Sequence, residues 1–230
     1  MPVFQLGEQI MFPHPDLAEP NGLLAVGGDL SVARLVNGYK QGIFPWYSED
    51  DPILWWFTSP RLILRPSELK VSRRLQRYYR NSGARMTINS SFADVIKLCG
   101  VTRRRTGEGT WITDEMSDAY IELHRQGYAH SVECWIDGRL AGGLYGVALG
   151  KVFFGESMFS TIANSSKFAL IHLVDFLKSS GYELIDCQMT TDHLVSLGAR
   201  EISGKHFQHL LNEYIVSDYH NGAWPNGKNC

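Results

Sequence analysis

Two short apolar stretches of the sequence carry ionisable or amide side chains that are suited to chemistry. Phe153–Ser160 contains Glu156, and Leu184–Gln188 contains Asp186 and Gln188. Burial of a carboxylate or a primary amide costs several kcal/mol unless the group is hydrogen-bonded or paired. Because alternate side chains of a strand share a face, Asp186 and Gln188 are expected to point toward one side of a sheet. Such a pair would furnish a cleft, although a half-buried strand with a solvated outer face shows the same alternation.

The cysteines and histidines favour neither thiol nor metal chemistry. Alternation places Cys187 on the face opposite Asp186, which favours a core thiol over a nucleophile. His206 and His209 are expected on a late helix and no HExxH motif occurs, so neither a metal nor a cofactor is expected. No CxxC pair is present, and reduced thiols in a cytosolic protein are expected. The four cysteines are Cys99, Cys134, Cys187 and Cys230.

Composition sets broad limits on the class of protein. The chain has 230 residues, 44% of them hydrophobic and 20% charged, with a formal net charge of −2. These values are ordinary for a soluble globular protein of one large domain or two unequal ones. No stretch approaches the roughly 18 apolar residues of a membrane span, and Met1–Phe4 lacks the basic start of a signal peptide. A cytoplasmic protein without membrane contact is expected.

Positive charge is concentrated in two short runs. A helix capped by Ser72 would align Arg73, Arg77 and Arg80 in one basic stripe. Leu75, Tyr78 and Tyr79 would then face the body of the protein. A second run, Arg103–Arg105, leads into a segment with two glycines. Two basic runs in a slightly acidic chain favour contact with phosphates, with an ordinary solvated face as the alternative.

Aromatic residues cluster near prolines in the N-terminal part. Trp46 follows Pro45, and Trp55 and Trp56 follow an acidic turn that ends at Pro52. Exposed aromatic rings stack nucleobases with about 1–3 kcal/mol each, although most such tryptophans belong to a core. The Gly107-x-Gly109 pattern lacks the remaining residues of a dinucleotide or Walker loop, so such nucleotide sites are not expected.

Proline usage divides the chain into a small N-terminal domain, 1–82, and a second domain, 83–230. The first is rich in turns and contains a helix at Val32–Gln41. The second is expected to follow the order β-α-α-β-β-β-α-β-α, with an Asp137-Gly138 hairpin turn. Its elements are expected at Met86–Ile88, Phe92–Leu98, Asp114–Gln126, Ser131–Ile136, Leu140–Ala148, Val152–Met158, Asn164–Ser179, Glu183–Gln188, Asp192–Leu197 and His206–Tyr214.

This order resembles that of GNAT-type acyltransferases, an α+β class with a mixed, splayed sheet. The separated strands would be Val152–Met158 and Glu183–Gln188. The glycine-containing loop that binds the pyrophosphate of coenzyme A in such folds is missing from Phe159–Asn164. The acyl donor is therefore expected to differ from coenzyme A, and the arginines and tryptophans favour an RNA-borne acyl group.

Several longer segments resemble the bacterial leucyl/phenylalanyl-tRNA–protein transferases. The resemblance implies transfer of Leu or Phe, less often Met, from aminoacyl-tRNA to the N-terminal Lys or Arg of a protein, which marks it for degradation by the N-degron pathway. It also implies a monomer without a cofactor. The matching segments are Glu19–Leu30, Gly42–Trp46, Pro52–Trp56, Gly109–Thr113, Gly155–Ser160, Leu184–Gln188 and Ser196–Ala199.

The resemblance also implies a role for each candidate site residue. Asp186 and Gln188 match the catalytic pair, with Gln188 accepting a hydrogen bond from the attacking amine and Asp186 acting as a base or an electrostatic organiser. Glu156 matches a catalytic-pocket residue that binds either the donor ammonium or the acceptor's cation. The other implied sites are Trp46 and Trp111 for the terminal adenosine, Leu144, Phe153, Leu173 and Ile185 for the aminoacyl side chain, and Arg73, Arg74, Arg77 and Arg80 for tRNA.

Three other functions remain compatible with parts of the sequence. A coenzyme-A-dependent N-acetyltransferase shares the fold but needs the missing loop. A peptidoglycan-type aminoacyl-tRNA transferase needs two such domains. An RNA-binding module uses the arginines and tryptophans but does not need Asp186 and Gln188.

Overall fold

Two β-sheets and seven α-helices make up the part of the chain that the computed structural model describes, residues 3–105, 111–216 and 224–225. Side chains are described for the same residues except 103–105. The strands are β1 Phe4–Leu6, β2 Leu23–Gly27, β3 Phe44–Pro45, β4 Leu54–Trp56, β5 Arg61–Leu64, β6 Arg85–Ile88, β7 Ala129–Ile136, β8 Arg139–Leu149, β9 Val152–Ser160, β10 Leu184–Gln188 and β11 Arg200–Ile202. The helices are α1 Val32–Lys40, α2 Arg73–Asn81, α3 Phe92–Arg105, α4 Asp114–Arg125, α5 Ser165–Ser179, α6 Asp192–Ser196 and α7 Gly204–Tyr214.

The smaller sheet lies in the N-terminal part, in the order β1-β2-β4-β3. Its strands were not predicted from the sequence, because five residues or fewer are too short for a clear alternation of polar and apolar residues. The predicted helix at Val32–Gln41 is confirmed as α1. Ser31 caps it by accepting a hydrogen bond from the Arg34 N–H at 3.4 Å.

The larger sheet has seven strands in the order β11-β5-β10-β9-β8-β7-β6. Strands β6 to β9 form an antiparallel meander, in which the hairpin of β7 and β8 was expected from the sequence. Asp137 and Gly138 have φ angles of 50° and 72°, as the predicted two-residue hairpin turn requires. Strand β5, although N-terminal to residue 82, pairs with both β10 and β11 in this sheet. The division at residues 82 and 83 remains a prediction.

The sheet splays between β9 and β10. These parallel strands pair over only three residues, from Leu184↔Val152 to Asp186↔Phe154. Beyond that point β9 continues along β8 alone, whereas the last residue of β10 pairs with β5. The predicted α+β class with a mixed, splayed sheet is confirmed, and the gap opens beside Glu156, Asp186 and Gln188.

Two helices differ from the sequence expectations. Helix α3 extends seven residues past the predicted end at Leu98 to Arg105, because Cys99 and Gly100 are buried and Gly100 lies against Ile112. Arg103–Arg105 therefore lie within the helix and not after it. Gly107 and Gly109 lie outside the described residues.

Helix α2 begins after Ser72, whose Oγ accepts a hydrogen bond from the Leu75 N–H at 3.2 Å. Leu75 is buried, and the Tyr79 ring lies 5.2 Å from that of Phe168. The prediction that Tyr78 faces the body was wrong, because the buried face follows Leu75 and Tyr79 at four-residue spacing. Tyr78 is 50% exposed, with the Arg74 guanidinium 5.5 Å from its ring.

No helix in the described ranges is both long and apolar enough to cross a membrane.

Candidate active site

A cavity of about 350 Å³ opens where β9 and β10 separate. Its wall brings together the residues that the sequence analysis assigned to catalysis, to adenosine and to the aminoacyl side chain. They are Glu156, Asp186, Gln188, Trp46, Trp111, Leu144, Phe153, Leu173 and Ile185.

One part of the cavity is apolar. Leu144 and Phe153 come from β8 and β9, Ile185 comes from β10, and Leu170 and Leu173 come from α5. All five side chains are buried. This part of the cavity therefore suits an apolar group.

Two half-buried indoles line another part of the wall. The Trp46 ring lies 5.5 Å from the Trp56 ring in an edge-to-face arrangement, and Trp56 Nε1 donates a hydrogen bond to the Trp46 carbonyl at 2.6 Å. Trp111 precedes the helix α4. Trp55, in contrast, is fully buried and belongs to the core. Among the tryptophans of the described residues, Trp46 and Trp111 alone combine partial exposure with a place in the cavity wall.

Asp186 forms a buried salt bridge with Arg61 of β5. Arg61 Nε and Nη2 donate to the two carboxylate oxygens of Asp186 at 2.8 and 2.6 Å, and both side chains are inaccessible to solvent. The Gln188 backbone N–H donates to Asp186 Oδ1 at 2.9 Å. The guanidinium carbon also lies within 5 Å of the Phe44 and Phe207 rings. These contacts hold Asp186 in one orientation, and its hydrogen bond to the Gln188 N–H fixes the backbone of Gln188.

Glu156 is buried and accepts three hydrogen bonds. Oε1 accepts from Tyr39 Oη at 2.8 Å and from Gln188 Nε2 at 2.9 Å, while Oε2 accepts from Tyr120 Oη at 3.1 Å. The two tyrosine hydroxyls also contact each other. Burial, and to a smaller extent the charge of Asp186, raises the pKa of Glu156 to about 7, against the three donors that lower it.

Gln188 adopts an unusual backbone conformation at the end of β10. Its φ angle is +60°, in the left-handed region that residues other than glycine seldom adopt. Because Nε2 donates to Glu156, the side-chain carbonyl oxygen Oε1 is the part of this amide left to accept a hydrogen bond. The site therefore presents an oriented acceptor beside the apolar part of the cavity.

A β-bulge interrupts the pairing of β10 with β5 at Cys187. Asp186 pairs with Ile63 and Gln188 pairs with Leu62, so Cys187 has no partner on β5. The predicted core thiol is half-buried and packs against the core cluster that contains Ile185, and it also lines the cavity. Burial raises the pKa of its thiol strongly, as the charge of Asp186 also does, which disfavours the nucleophilic thiolate.

A second irregularity lies on β9 at the same level. Gly155 pairs with Gly146 and Ser157 pairs with Tyr145, which leaves Glu156 as the extra residue between them. The two neighbouring strands thus each carry a bulge where they begin to separate. The bulges place the polar residues of both motifs at the gap.

Three residues that complete the site were missed in the sequence. Arg61, Tyr39 and Tyr120 come from other elements, and Arg61 and Asp186 are 125 positions apart. The sequence did indicate that Glu156 and Asp186, as carboxylates in apolar strands, need buried partners. It did not indicate which residues those partners are.

The raised pKa of Glu156 predicts a pH-dependent stability. The native carboxyl keeps its proton up to about pH 7, whereas the carboxyl of the unfolded chain loses it near 4.5. The stabilisation that this proton gives to the folded state is therefore complete below pH 4.5 and is lost as the pH rises through 7. Relative to Glu156→Gln, the wild-type free energy of unfolding should fall by about 3 kcal/mol between pH 4 and 8.5. Urea unfolding of both proteins at these two pH values measures it, and a difference independent of pH would contradict the assignment.

The arginines of α2 lie outside the cavity wall. Arg73, Arg74, Arg77 and Arg80 are all exposed. No described acidic side chain forms a salt bridge with them within 4 Å. They form a basic surface, called here the α2 arginines.

Two backbone amides in the segment between β9 and α5 are already hydrogen-bonded within the protein. The N–H groups of Thr161 and Ile162 both donate to the Ala141 carbonyl, at 2.8 and 3.3 Å, and Ser165 Oγ donates to the same oxygen at 2.7 Å. Amides that are already bonded within the protein are not available to a coenzyme A phosphate. The geometry thus agrees with the absence of glycine in this segment.

Comparison with known proteins gives one consistent family. Residues 63–212 match the family model described as leucyl/phenylalanyl-tRNA protein transferase, and residues 28–59 match the model of its N-terminal domain. The chain is 60% identical over 219 residues to the leucyl/phenylalanyl-tRNA–protein transferase of Desulfotalea psychrophila, covering 95% of this chain and 96% of that protein. It is 56% identical to the protein of the same name from Syntrophobacter fumaroxidans, covering 100% and 98%. Among solved structures, FemX aligns with a TM-score of 0.48 at 12% identity, covering 78% of this chain and 70% of that one.

Proposed function

The chain belongs to the leucyl/phenylalanyl-tRNA–protein transferase family, and from this premise we propose that its cavity binds the aminoacyl end of a Leu-tRNA or Phe-tRNA for transfer to a protein N-terminus. As a member of the family it is an aminoacyltransferase that uses aminoacyl-tRNA and a protein acceptor. The proposal concerns the residues that act and the identity of the two substrates.

The reaction is the aminolysis of an ester. The acceptor α-amine attacks the ester carbonyl carbon, the ribose oxygen leaves, and the proton lost by the amine is taken up as the ribose hydroxyl re-forms. This chemistry needs a neutral amine held close to the carbonyl in the correct orientation. The oriented Oε1 of Gln188 supports the proposal most directly, because it is an acceptor for the amine N–H beside an apolar pocket.

Asp186 and Glu156 are proposed to be positioning residues. Asp186 is occupied by Arg61 and by the Gln188 backbone, so it fixes Gln188 instead of taking a proton from the amine. The oxygens of Glu156 accept from Tyr39, Tyr120 and Gln188, which favours orientation of the Gln188 amide over binding of a substrate cation.

The remaining wall is assigned to the donor. Leu144, Phe153, Leu173 and Ile185 would contact the Leu or Phe side chain, and their burial supports this assignment. The half-buried faces of Trp46 and Trp111 would stack the terminal adenine. We place the acceptors among proteins with N-terminal Lys or Arg, consistent with a cytoplasmic N-degron role and a monomeric enzyme.

A filter-binding assay tests this function. Labelled Phe-tRNA and a peptide that begins with Arg should yield labelled peptide without any added cofactor. The same peptide acetylated at its N-terminus is the matched control and should remain unlabelled. Failure to label the Arg peptide, or acetylation of it from acetyl-coenzyme A, would contradict the proposal.

The α2 arginines are proposed to bind tRNA phosphates without reading sequence. Changing Arg73, Arg77 and Arg80 together to Ala should weaken tRNA binding and reduce the slope of log K against log[salt] by up to about three units. Transfer from phenylalanyl-adenosine, which lacks the tRNA body, should hardly change. The control carries the same charge loss elsewhere, by changing the exposed Lys40, Arg125 and Arg139 to Ala. An equal loss in the two triple variants, or with both donors, would exclude a specific role for α2.

A further inference from the structure

Trp224 lies in an aromatic slot behind the cavity. Its indole stacks on His130 of β7 with 4.0 Å between ring centroids and an interplanar angle of 4°. The Phe176 ring at the end of α5 lies 4.6 Å away, and Nε1 donates to Tyr182 Oη at 2.9 Å. Trp224 is only 7% exposed. The indole of Trp224 thus contacts both the sheet and the end of α5.

The next residue is also held in place. Asn89 Nδ2 donates to the Pro225 carbonyl at 3.0 Å and contacts Nδ1 of His130 at 3.1 Å. Burial, together with the nearby His124, lowers the pKa of His130 to about 3, so the ring that stacks on Trp224 is neutral. The slot is therefore a built site for an aromatic side chain and not a chance surface contact.

Phe153 connects this slot to the cavity. Its ring lies 5.8 Å from that of Trp224, and Phe153 is also part of the cavity wall. On β8, a methyl group added at Gly146 would lie 2.6 Å from Phe153 Cζ. The Phe153 ring is thus confined between the Gly146 backbone and Trp224. Its position limits how far the apolar part of the cavity extends.

We propose that Trp224 is a positioning residue that sets the depth of the aminoacyl side-chain pocket, by holding Phe153 and the end of α5 in place. This inference rests on the proposed function of that pocket. Removal of the indole leaves space into which Phe153 can move, so the pocket becomes deeper. A small side chain then loses contacts, and a larger one gains room.

The test compares Trp224→Ala and Trp224→Phe with wild type, using leucyl-, phenylalanyl- and 2-naphthylalanyl-adenosine as donors. Trp224→Ala should lower kcat/KM for the leucyl donor relative to the naphthylalanyl donor by about tenfold. The value of kcat at saturating phenylalanyl donor should stay within a few-fold of wild type. Trp224→Phe retains a ring in the slot and should restore most of the discrimination.

The variant Leu123→Ala is the control for a general loss of stability. Leu123 is fully buried in α4, belongs to a different core cluster and does not line the cavity. This variant should lower the melting temperature without changing the ratio between donors. An unchanged ratio in folded Trp224→Ala, or an equal change in Leu123→Ala, would overturn the inference.

A binding measurement separates this inference from the proposed function. Dissociation constants of non-reactive aminoacyl-amide adenosine analogues carrying the same three side chains should show the same shift in discrimination. If wild type fails to transfer any donor, the proposed function is wrong, and the ratio of dissociation constants still decides the role of Trp224.

Discussion

Replacing Gln188 with Ala should lower kcat for transfer by about 10²–10³-fold while leaving the affinity for the donor nearly unchanged. The expected size is that of removing one positioned hydrogen-bonding group that acts in the transition state. The donor is proposed to bind through the apolar part of the cavity and the two tryptophans, so its affinity has other sources. Single-turnover rates with phenylalanyl-adenosine and the donor dissociation constant together measure the effect.

The matched control for this change is Gln126→Ala. Gln126 is an exposed amide that donates to Glu122 after the end of α4, outside the cavity. It should transfer at the wild-type rate. A Gln188→Ala variant that turns over like wild type, or one whose whole loss is weaker donor binding, would remove Gln188 from the chemical step.

Breaking the buried pair of Arg61 and Asp186 should have the largest effect on stability. Arg61→Met leaves a carboxylate without its bidentate partner in a site inaccessible to solvent, which costs about 3–5 kcal/mol of unfolding free energy. Chemical unfolding of the variant and of wild type at neutral pH measures this loss.

An exposed ion pair provides the comparison. Arg200 and Glu68 are 3.4 Å apart and both about half exposed, so Arg200→Ala should cost no more than about 1 kcal/mol. A loss of similar, small size for Arg61→Met would show that the buried pair does not hold β5 to β10.

The sequence was sufficient to predict the elements of the meander and the gap beside it. The Asp137-Gly138 turn and the long apolar strands that flank it have strong local signals. The order of elements from β6 to α6 was predicted, whereas the short strand β11 was missed. Glu156, Asp186 and Gln188 were also identifiable, because polar side chains inside apolar strands need partners.

Side-chain direction could not be predicted, because it depends on one residue of register. The bulges at Glu156 and Cys187 each add a residue to one strand and thereby change which side chains share a face. No local pattern marks them. The contribution of Cys187 to the cavity wall was consequently not predicted.

The partners of the buried carboxylates also depend on tertiary structure. Arg61 lies on a strand that follows the N-terminal sheet, and Tyr39 lies on α1, yet both reach the gap between β9 and β10. A single sequence contains no signal that joins residues 117 or 125 positions apart. For the same reason, only the structure places Trp224 behind Phe153.

The central claim is that Asp186 holds Gln188 in place and does not itself accept the proton of the amine. The variant Arg61→Gln with Asp186→Asn tests it most directly, because it replaces the charged pair by a neutral one and keeps an Oδ1 acceptor for the Gln188 N–H. The measurement is the single-turnover rate of transfer from phenylalanyl-adenosine to an Arg-started peptide by the folded double variant. The rate should stay within about tenfold of wild type. Removal of a general base would instead lower the rate by about 10²–10⁴-fold. A loss as large as that of Gln188→Ala would contradict it and make Asp186 the base.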